Sequence, residues 1–250
     1  MEKISKTIEK INLTLKKYKE VIDLLLTLAI IILTIFIGSI ANNLSNNTLE
    51  IQKIINSPLF DISFEKTDII DNGFNKTYNT QYIADDNESH IISNIGGNIR
   101  EATISDMHIL VIVIQKNHEP FKSFNAVIDK YFERISPRST YHGELKIYEG
   151  FYNLYRLYIF ERDAQERFKN EFDLEIYMYP RHFYKISYIT TWGDKDIKYY
   201  EASESEGTIE LTSDEGKTVF VNSDSWCLEN HCDLSSAYNP ELLNEIIDKL

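Results

Sequence analysis

The sequence predicts a mainly β fold, in which one long N-terminal transmembrane helix precedes a single antiparallel β-sandwich and a short helix ends the chain. Leu24 to Ala41 is an uncharged and mostly aliphatic segment, which is typical of a membrane span. After Pro58, short stretches of alternating apolar and polar residues recur between turn residues, as in β-strands. Near the C-terminus, Asn239-Pro240-Glu241 has the cap residue and the first-turn proline of a helix start.

The apolar segment has the length that a membrane requires. A helix rises about 1.5 Å per residue and the hydrocarbon core is about 30 Å thick, so a span needs roughly 20 residues. Residues 24–41 supply eighteen uncharged positions, and extension to about Leu44 completes the length. We therefore predict a transmembrane helix that acts as a signal anchor and places the protein in the cell membrane, with the lipid bilayer as its first partner.

Basic residues around the span predict its orientation. Six lysines precede it, at positions 3, 6, 10, 16, 17 and 19, whereas only Lys53 follows it closely. Because lysine and arginine accumulate on the cytoplasmic side, we expect a cytoplasmic N-terminus and an extracytoplasmic C-terminal domain. Residues 1–23 carry a net charge of +2, so −15 lies beyond them in a chain of net charge −13. This acidity argues against a nucleic-acid partner.

A cleaved signal peptide is the alternative interpretation of the same segment. Ser39 and Ala41 have the small-residue spacing that a signal peptidase prefers. However, 23 residues precede the apolar run, and the run is longer than the usual 7–15 residues of a signal peptide. The lengths favour an uncleaved anchor.

The basic segment, residues 1–23, is predicted to be an amphipathic helix. Its apolar residues recur at alternating steps of four and three, at Ile4, Ile8, Ile11, Leu15, Tyr18, Ile22 and Leu25. This pattern allows either a helix on the inner leaflet or a short coiled coil that continues into the bilayer. Together with the small-residue pair Thr34 and Gly38, it makes a homo-oligomer through residues 4–39 possible.

Residues 42–57 are predicted to be a juxtamembrane linker, and residues 58–250 to be the β-sandwich domain. The apolar run Ile109–Ile114 predicts a buried central strand. Tyr152–Phe160 is interpreted as a further strand, and Arg162–Phe172 as a short helix. Asp214–Lys217 is interpreted as a hairpin turn between the last two strands.

Two segments carry a resemblance to known proteins. One resembles the Asn-x-Gly-Gly turn of Ig-like β-sandwich modules in bacterial membrane-anchored and surface proteins, and it reads Ile92-Ser-Asn-Ile-Gly-Gly-Asn-Ile99. The other, Lys185 to Asp194, is similar to a late strand and turn in that group. The resemblance covers under a tenth of the chain. It implies an Ig-like sandwich in a bacterial single-pass membrane protein, and it implies no active site.

The two cysteines, Cys227 and Cys232, lie close together in Cys-Leu-Glu-Asn-His-Cys. In an oxidising compartment this spacing favours a small disulfide loop. Free thiols remain possible, and so does a zinc site that includes His231, although a zinc site needs four ligands.

Few residues have the spacing of a catalytic or metal site. Asp194 and Asp196 follow Trp192-Gly193 and could hold a hard cation or share a proton. Asp85 to Glu88 could bind Ca²⁺, but this stretch lacks the glycine and spacing of a calcium loop. The six histidines show no His-x₃-His or His-Glu-x-x-His spacing, and phosphate-loop, dinucleotide and nucleophile-elbow motifs are also missing. We therefore predict no catalytic residue and no cofactor.

Aromatic residues near one predicted turn indicate a protein-binding surface instead. Tyr179, Arg181, His182 and Trp192 are candidate interface residues, because aromatic and arginine side chains anchor many interfaces. The sequence thus predicts a single-pass membrane protein whose extracytoplasmic sandwich binds a partner protein or serves as an accessory subunit of an envelope complex. The alternatives are a membrane-tethered hydrolase that uses Asp194, Asp196 or His182, and a cytoplasm-facing sensor or effector.

Overall fold

A computed structural model of the protein describes residues 2–66, 87–139, 141–151, 153–203, 207–234 and 239–250. The chain divides into two compact units, Met1–Ile55 and Asn56–Leu250. The first unit is a helix and the second is a β-rich domain that also contains helices.

The first unit is a continuous helix, α1, from Glu2 to Ile55. It includes the predicted basic helix and membrane span, and it also continues through most of the predicted linker. Among the described residues it is the one helix that is long and apolar enough to cross a membrane. The hydroxyls of Thr27 and Thr34 each donate to the carbonyl four residues earlier, at 2.8 Å, so these polar side chains are satisfied within the helix.

The second unit contains ten strands within its described residues. Strands β1 to β10 span Phe60–Lys66, Asn87–Asn94, Ile99–Lys116, Glu119–Asp129, Arg134–Pro137, Gly143–Phe151, Glu175–Thr190, Lys195–Ser203, Gly207–Leu211 and Cys232–Asp233. Helices α2, α3 and α4 span Asn153–Phe172, Ser213–Val221 and Pro240–Asp248.

The strands form two sheets. The first has four antiparallel strands in the order β1-β2-β6-β5. The second has six strands in the order β10-β4-β3-β7-β8-β9, and all its pairs are antiparallel except the short β10–β4 pair. The long strands β3 and β7 lie at its centre, and β3 includes the predicted central strand Ile109–Ile114, which is mostly buried.

One large core joins the two sheets to α2 and α4. It receives Ile62 and Ile92 from the first sheet and Ile112 from the second. Phe60 of β1 stacks edge-on against Tyr188 of β7, with ring centroids 5.2 Å apart. Since apolar burial is the main force that holds sheets together, this shared core fixes which faces of the two sheets meet.

The prediction of a mainly β fold is wrong, because strand and helix each make up about 41% of the structure. The predicted strand Tyr152–Phe160 belongs mostly to the 20-residue helix α2. The predicted hairpin at Asp214–Lys217 is part of α3, which begins after Thr212. Two sheets are present, as a sandwich requires, but an Ig-like sandwich is not confirmed.

The Asn-x-Gly-Gly turn has a specific packing reason. A Cβ atom on Gly97 would lie 1.8 Å from the carbonyl oxygen of Asn56, so only glycine lets the two backbone segments approach. The Asn94 side chain completes the turn by accepting from the Gly96 N–H at 3.2 Å and donating to the Gly97 carbonyl at 2.9 Å. The turn thereby positions the start of β3.

The predicted C-terminal helix is present as α4. Pro240 occupies its first turn and Asn239 precedes it, as the sequence predicts. The Asn239 side chain accepts a hydrogen bond from the Asp233 N–H at 2.8 Å rather than from the helix. It therefore joins α4 to β10.

Candidate functional site

The structure does not bring the predicted hydrolase residues together. Asp194 lies in the turn between β7 and β8, Asp196 is the second residue of β8, and both are exposed. Asp196 accepts hydrogen bonds from the Tyr188 hydroxyl at 2.9 Å and from the Ile197 N–H at 2.8 Å. His182 lies eight residues before the end of β7, which corresponds to about 26 Å at about 3.3 Å per residue. Asp194 and Asp196 are also outside the group of metal-ligating side chains found among the described residues.

The four predicted interface residues do not share one surface. Tyr179 and Arg181 lie on the same face of β7, whereas Trp192 lies beyond the far end of that strand. His182 points to the opposite face and is only 4% exposed, so it is an interior residue. The Arg181 guanidinium donates to both carboxylate oxygens of Glu201 at 2.6 Å.

Around Tyr179 the outer face of the six-stranded sheet has a partly exposed apolar strip. Val111 and Val113 of β3 lie opposite Tyr179 and Tyr177 of β7, and directly opposed residues share a face. The two tyrosines are 48% and 40% exposed. We call these four residues the tyrosine strip. Helix α3 and its partners form a separate small core further along the same face, around Ile109 and Phe183.

Both cysteines are thiols in the structure, and they contact different apolar clusters. Cys232 is buried in the main core, whereas Cys227 packs beside the small core near α3. Burial, together with the Asp224 carboxylate, raises the pKa of Cys227 to about 11. Burial and the charges of Asp233 and Asp129 raise the pKa of Cys232 to about 12. Neither thiol ionises readily at neutral pH, and the predicted disulfide stays a prediction.

A group of buried polar side chains was not predicted from the sequence. It lies between the inner faces of the two sheets, and we call it the buried polar cluster: Glu88, His90, His108, Tyr131, His182 and Tyr184. None of these residues is more than 4% exposed. Burying a carboxylate and three imidazoles costs several kcal/mol unless each is well paired. The stability of the cluster therefore depends on how its hydrogen bonds pair these groups.

Glu88 is the centre of one half of the cluster. Its Oε1 atom lies 2.9 Å from His90 Nε2 and 3.7 Å from His182 Nε2, and its Oε2 atom accepts from the Tyr131 hydroxyl. The other ring nitrogen of His90 lies 2.5 Å from the Tyr184 hydroxyl. Glu88 also belongs to the predicted calcium-binding stretch, and the structure places its side chain in the interior between the two sheets. Asp85 and Asp86 of that stretch lie outside the described residues.

Strand register produces the other half. His108 on β3 is directly opposite His182 on β7, and their Nδ1 atoms are 2.9 Å apart. The second ring nitrogen of His108 lies 3.0 Å from the Asp106 carboxylate. A continuous series of polar contacts thus runs from Asp106 through the two imidazoles to Glu88.

Electrostatics near Asp106 reflect these contacts. Burial raises the pKa of Asp106, but His108, the Tyr148 hydrogen bond and the Lys146 charge together outweigh burial, so the pKa of Asp106 lies below its usual value. Burial lowers the pKa of Lys146, and the Asp106 charge opposes that change. Burial raises the pKa of Tyr148, and the Asp106 carboxylate adds to the increase. Asp106 is therefore an anion at neutral pH, and Tyr148 is a neutral phenol.

Aromatic rings enclose the histidines. The rings of Phe64 and Phe132 contact His90 edge-on, with centroids 4.5 and 4.7 Å away. Tyr131 lies against His182, with centroids 4.6 Å apart. Such a shell keeps the local dielectric low and strengthens polar interactions inside it. Chemically, the cluster can hold a cation or a shared proton away from solvent.

The chain matches no protein-family model, no curated protein and no solved structure at a significant level.

Proposed function

We propose that this is a single-pass membrane protein that displays its β-rich domain on the extracytoplasmic side and binds a protein partner there, as an accessory subunit of an envelope complex. The apolar part of α1 supports the membrane anchor. The lysines before the span support the orientation. The tyrosine strip is the observation that carries the binding role, because large rings half exposed on a rigid sheet anchor interfaces at low entropic cost.

Charge indicates what kind of partner fits. The chain beyond residue 23 carries a net charge of −15. A second copy of the domain would meet like charge, whereas a protein with a basic docking face would be attracted. A partner in the same membrane also benefits from the high effective concentration that tethering provides. We therefore propose a membrane-bound partner with a basic face. Self-association through residues 4–39 is a separate proposal.

The orientation can be tested with single cysteines. In a Cys227→Ala/Cys232→Ala background, we expect a membrane-impermeant maleimide to label Val221→Cys in intact cells, because Val221 is 72% exposed in the domain. Leu13→Cys, which is equally exposed but precedes the span, should be labelled only after lysis. Labelling of Leu13→Cys alone in intact cells would contradict the proposal and favour the cytoplasmic sensor or effector.

The docking surface can be tested by site-specific photo-crosslinking in cells. A photoreactive residue at Tyr179 should give one discrete product with a membrane protein. The same residue at Asp214, a 98% exposed side chain on α3, should not. Tyr177→Ala should reduce the product at least several-fold, because a buried tyrosine anchor is worth about 2 kcal/mol or more. Equal products at both positions, or no product at Tyr179, would contradict binding at the strip.

A further inference from the structure

We propose that Glu88, His90 and His182 form a binding site for one divalent first-row transition-metal ion. Their ligand atoms, one carboxylate oxygen and two imidazole nitrogens, all lie within 4.8 Å of one another, and all three residues are buried. This site is separate from the tyrosine strip and does not depend on the membrane orientation or on a partner.

The spacing of these atoms suits such an ion. Zinc binds nitrogen and oxygen at about 2.0–2.2 Å in tetrahedral geometry, so neighbouring ligand atoms stand about 3.4 Å apart. The distances of 2.9 and 3.7 Å from Glu88 Oε1 to the two Nε2 atoms lie on either side of that value. Small side-chain movements would therefore be enough to complete three ligand bonds.

The surrounding hydrogen bonds orient the ligands. Asp106 is an anion and accepts, so the proton between it and His108 belongs to the imidazole Nε2. With that proton on Nε2, the Nδ1 atom of His108 can accept from the Nδ1–H of His182, and this His182 tautomer places its lone pair on Nε2, towards Glu88. A metal-binding histidine usually donates its second N–H in this way.

The other two ligands have matching supports. The Tyr184 oxygen can accept from His90 Nδ1, which leaves His90 Nε2 free of its proton for a metal. The Tyr131 hydroxyl occupies Glu88 Oε2, so Oε1 is the oxygen that faces both histidines. Each of the three ligands thus has an outer partner that directs one atom to the common point.

The donor set indicates the class of ion. Imidazole with carboxylate suits zinc, iron, cobalt or nickel, whereas calcium and magnesium prefer oxygen ligands alone. The three ligands are buried, and aromatic rings lie against His90, which favours a metal with few retained waters. Because β2 belongs to the four-stranded sheet and β7 to the six-stranded sheet, the ion would join the two sheets.

The test uses the full-length protein in detergent, purified without a polyhistidine tag and stripped of metal with a chelator. We expect one Zn²⁺ per chain by elemental analysis, and d–d absorption of a four- or five-coordinate nitrogen–oxygen site with Co²⁺. Zn²⁺ should also raise the midpoint of thermal unfolding, since an ion that binds the folded state stabilises it. Failure of the wild-type chain to retain one equivalent would overturn the proposal.

Variants locate the site. Glu88→Gln and His182→Gln should abolish Zn²⁺ binding, while His108→Gln should weaken it about 10–100-fold as an outer partner. His118→Gln, an exposed histidine paired with Glu175, should bind like the wild type. Cys227→Ala/Cys232→Ala should also bind normally, which excludes the alternative site at the cysteines and His231. Circular dichroism checks that each variant folds.

Two results would overturn the assignment even if the wild type binds metal. One is unchanged binding by folded Glu88→Gln and His182→Gln. The other is loss of binding in His118→Gln or in the cysteine variant. Either would place the ion elsewhere, and the buried polar cluster would then be a hydrogen-bonded network alone.

Discussion

Two arginines in the apolar segment should release the protein from the membrane. Leu28→Arg and Ile32→Arg lie one helical turn apart near the middle of the span. Each arginine at the centre of a span costs about 2.5–3.5 kcal/mol of insertion free energy, so the pair should cost about 5–7 kcal/mol. We expect the double variant to move from the membrane pellet to the soluble fraction after an alkaline wash.

Matched substitutions on the same helix provide the control. Leu13→Arg and Ile54→Arg are similarly exposed and lie outside residues 24–41. They should leave the protein in the pellet, because a charge there reaches the interface or water. If Leu28→Arg/Ile32→Arg stays in the pellet as firmly as this control, α1 is not the membrane anchor.

Removal of the Glu88 side chain should strongly destabilise the β-rich domain. Glu88→Ala takes away the acceptor that faces Tyr131, His90 and His182 and leaves a gap among buried polar groups. Breaking a buried pair by deleting one partner costs about 3–5 kcal/mol. We expect that loss in the free energy of unfolding, measured by chemical denaturation of the full chain in detergent with a chelator present.

Two comparisons separate this effect from a general effect of mutation. Glu88→Gln keeps the side-chain volume and one oxygen acceptor, so it should cost clearly less than Glu88→Ala. Glu65→Ala, at an exposed position on the neighbouring strand β1, should change the unfolding free energy by no more than about 0.5 kcal/mol. Equal effects of Glu88→Ala and Glu65→Ala would contradict the buried network.

The first half of α2 and the whole of α3 were not predicted, although both had recognisable signals. Leu157, Phe160, Ala164 and Phe168 recur at steps of three and four, and all four are buried on one face of α2. The sequence predicted a helix from Arg162 to Phe172, which is the second half of α2. The aromatic and aliphatic character of Tyr152–Phe160 favoured a strand there, although Leu157 and Phe160 continue the helical spacing. Likewise, Thr212 and Glu215 have the spacing of a capping box, and the structure forms that box at the start of α3.

The buried polar cluster also had a partial signal. In each of three strands a histidine has a polar partner two residues away: Glu88-Ser89-His90, Asp106-Met107-His108 and His182-Phe183-Tyr184. Because strand side chains alternate, both members of each pair point to the same face. The histidine spacings typical of helical metal sites do not include this period of two. Even this period of two could not have shown that the three pairs come together in one cluster.

By itself, the sequence determined the apolar N-terminal helix, the buried strand Ile109–Ile114 and the position of α4, since each depends on neighbouring residues and on local periodicity. Tertiary structure decided that His108 lies opposite His182 and that Glu88 reaches them from the other sheet. Strand register and the packing of two sheets depend on contacts between residues far apart in the chain, which local patterns do not encode.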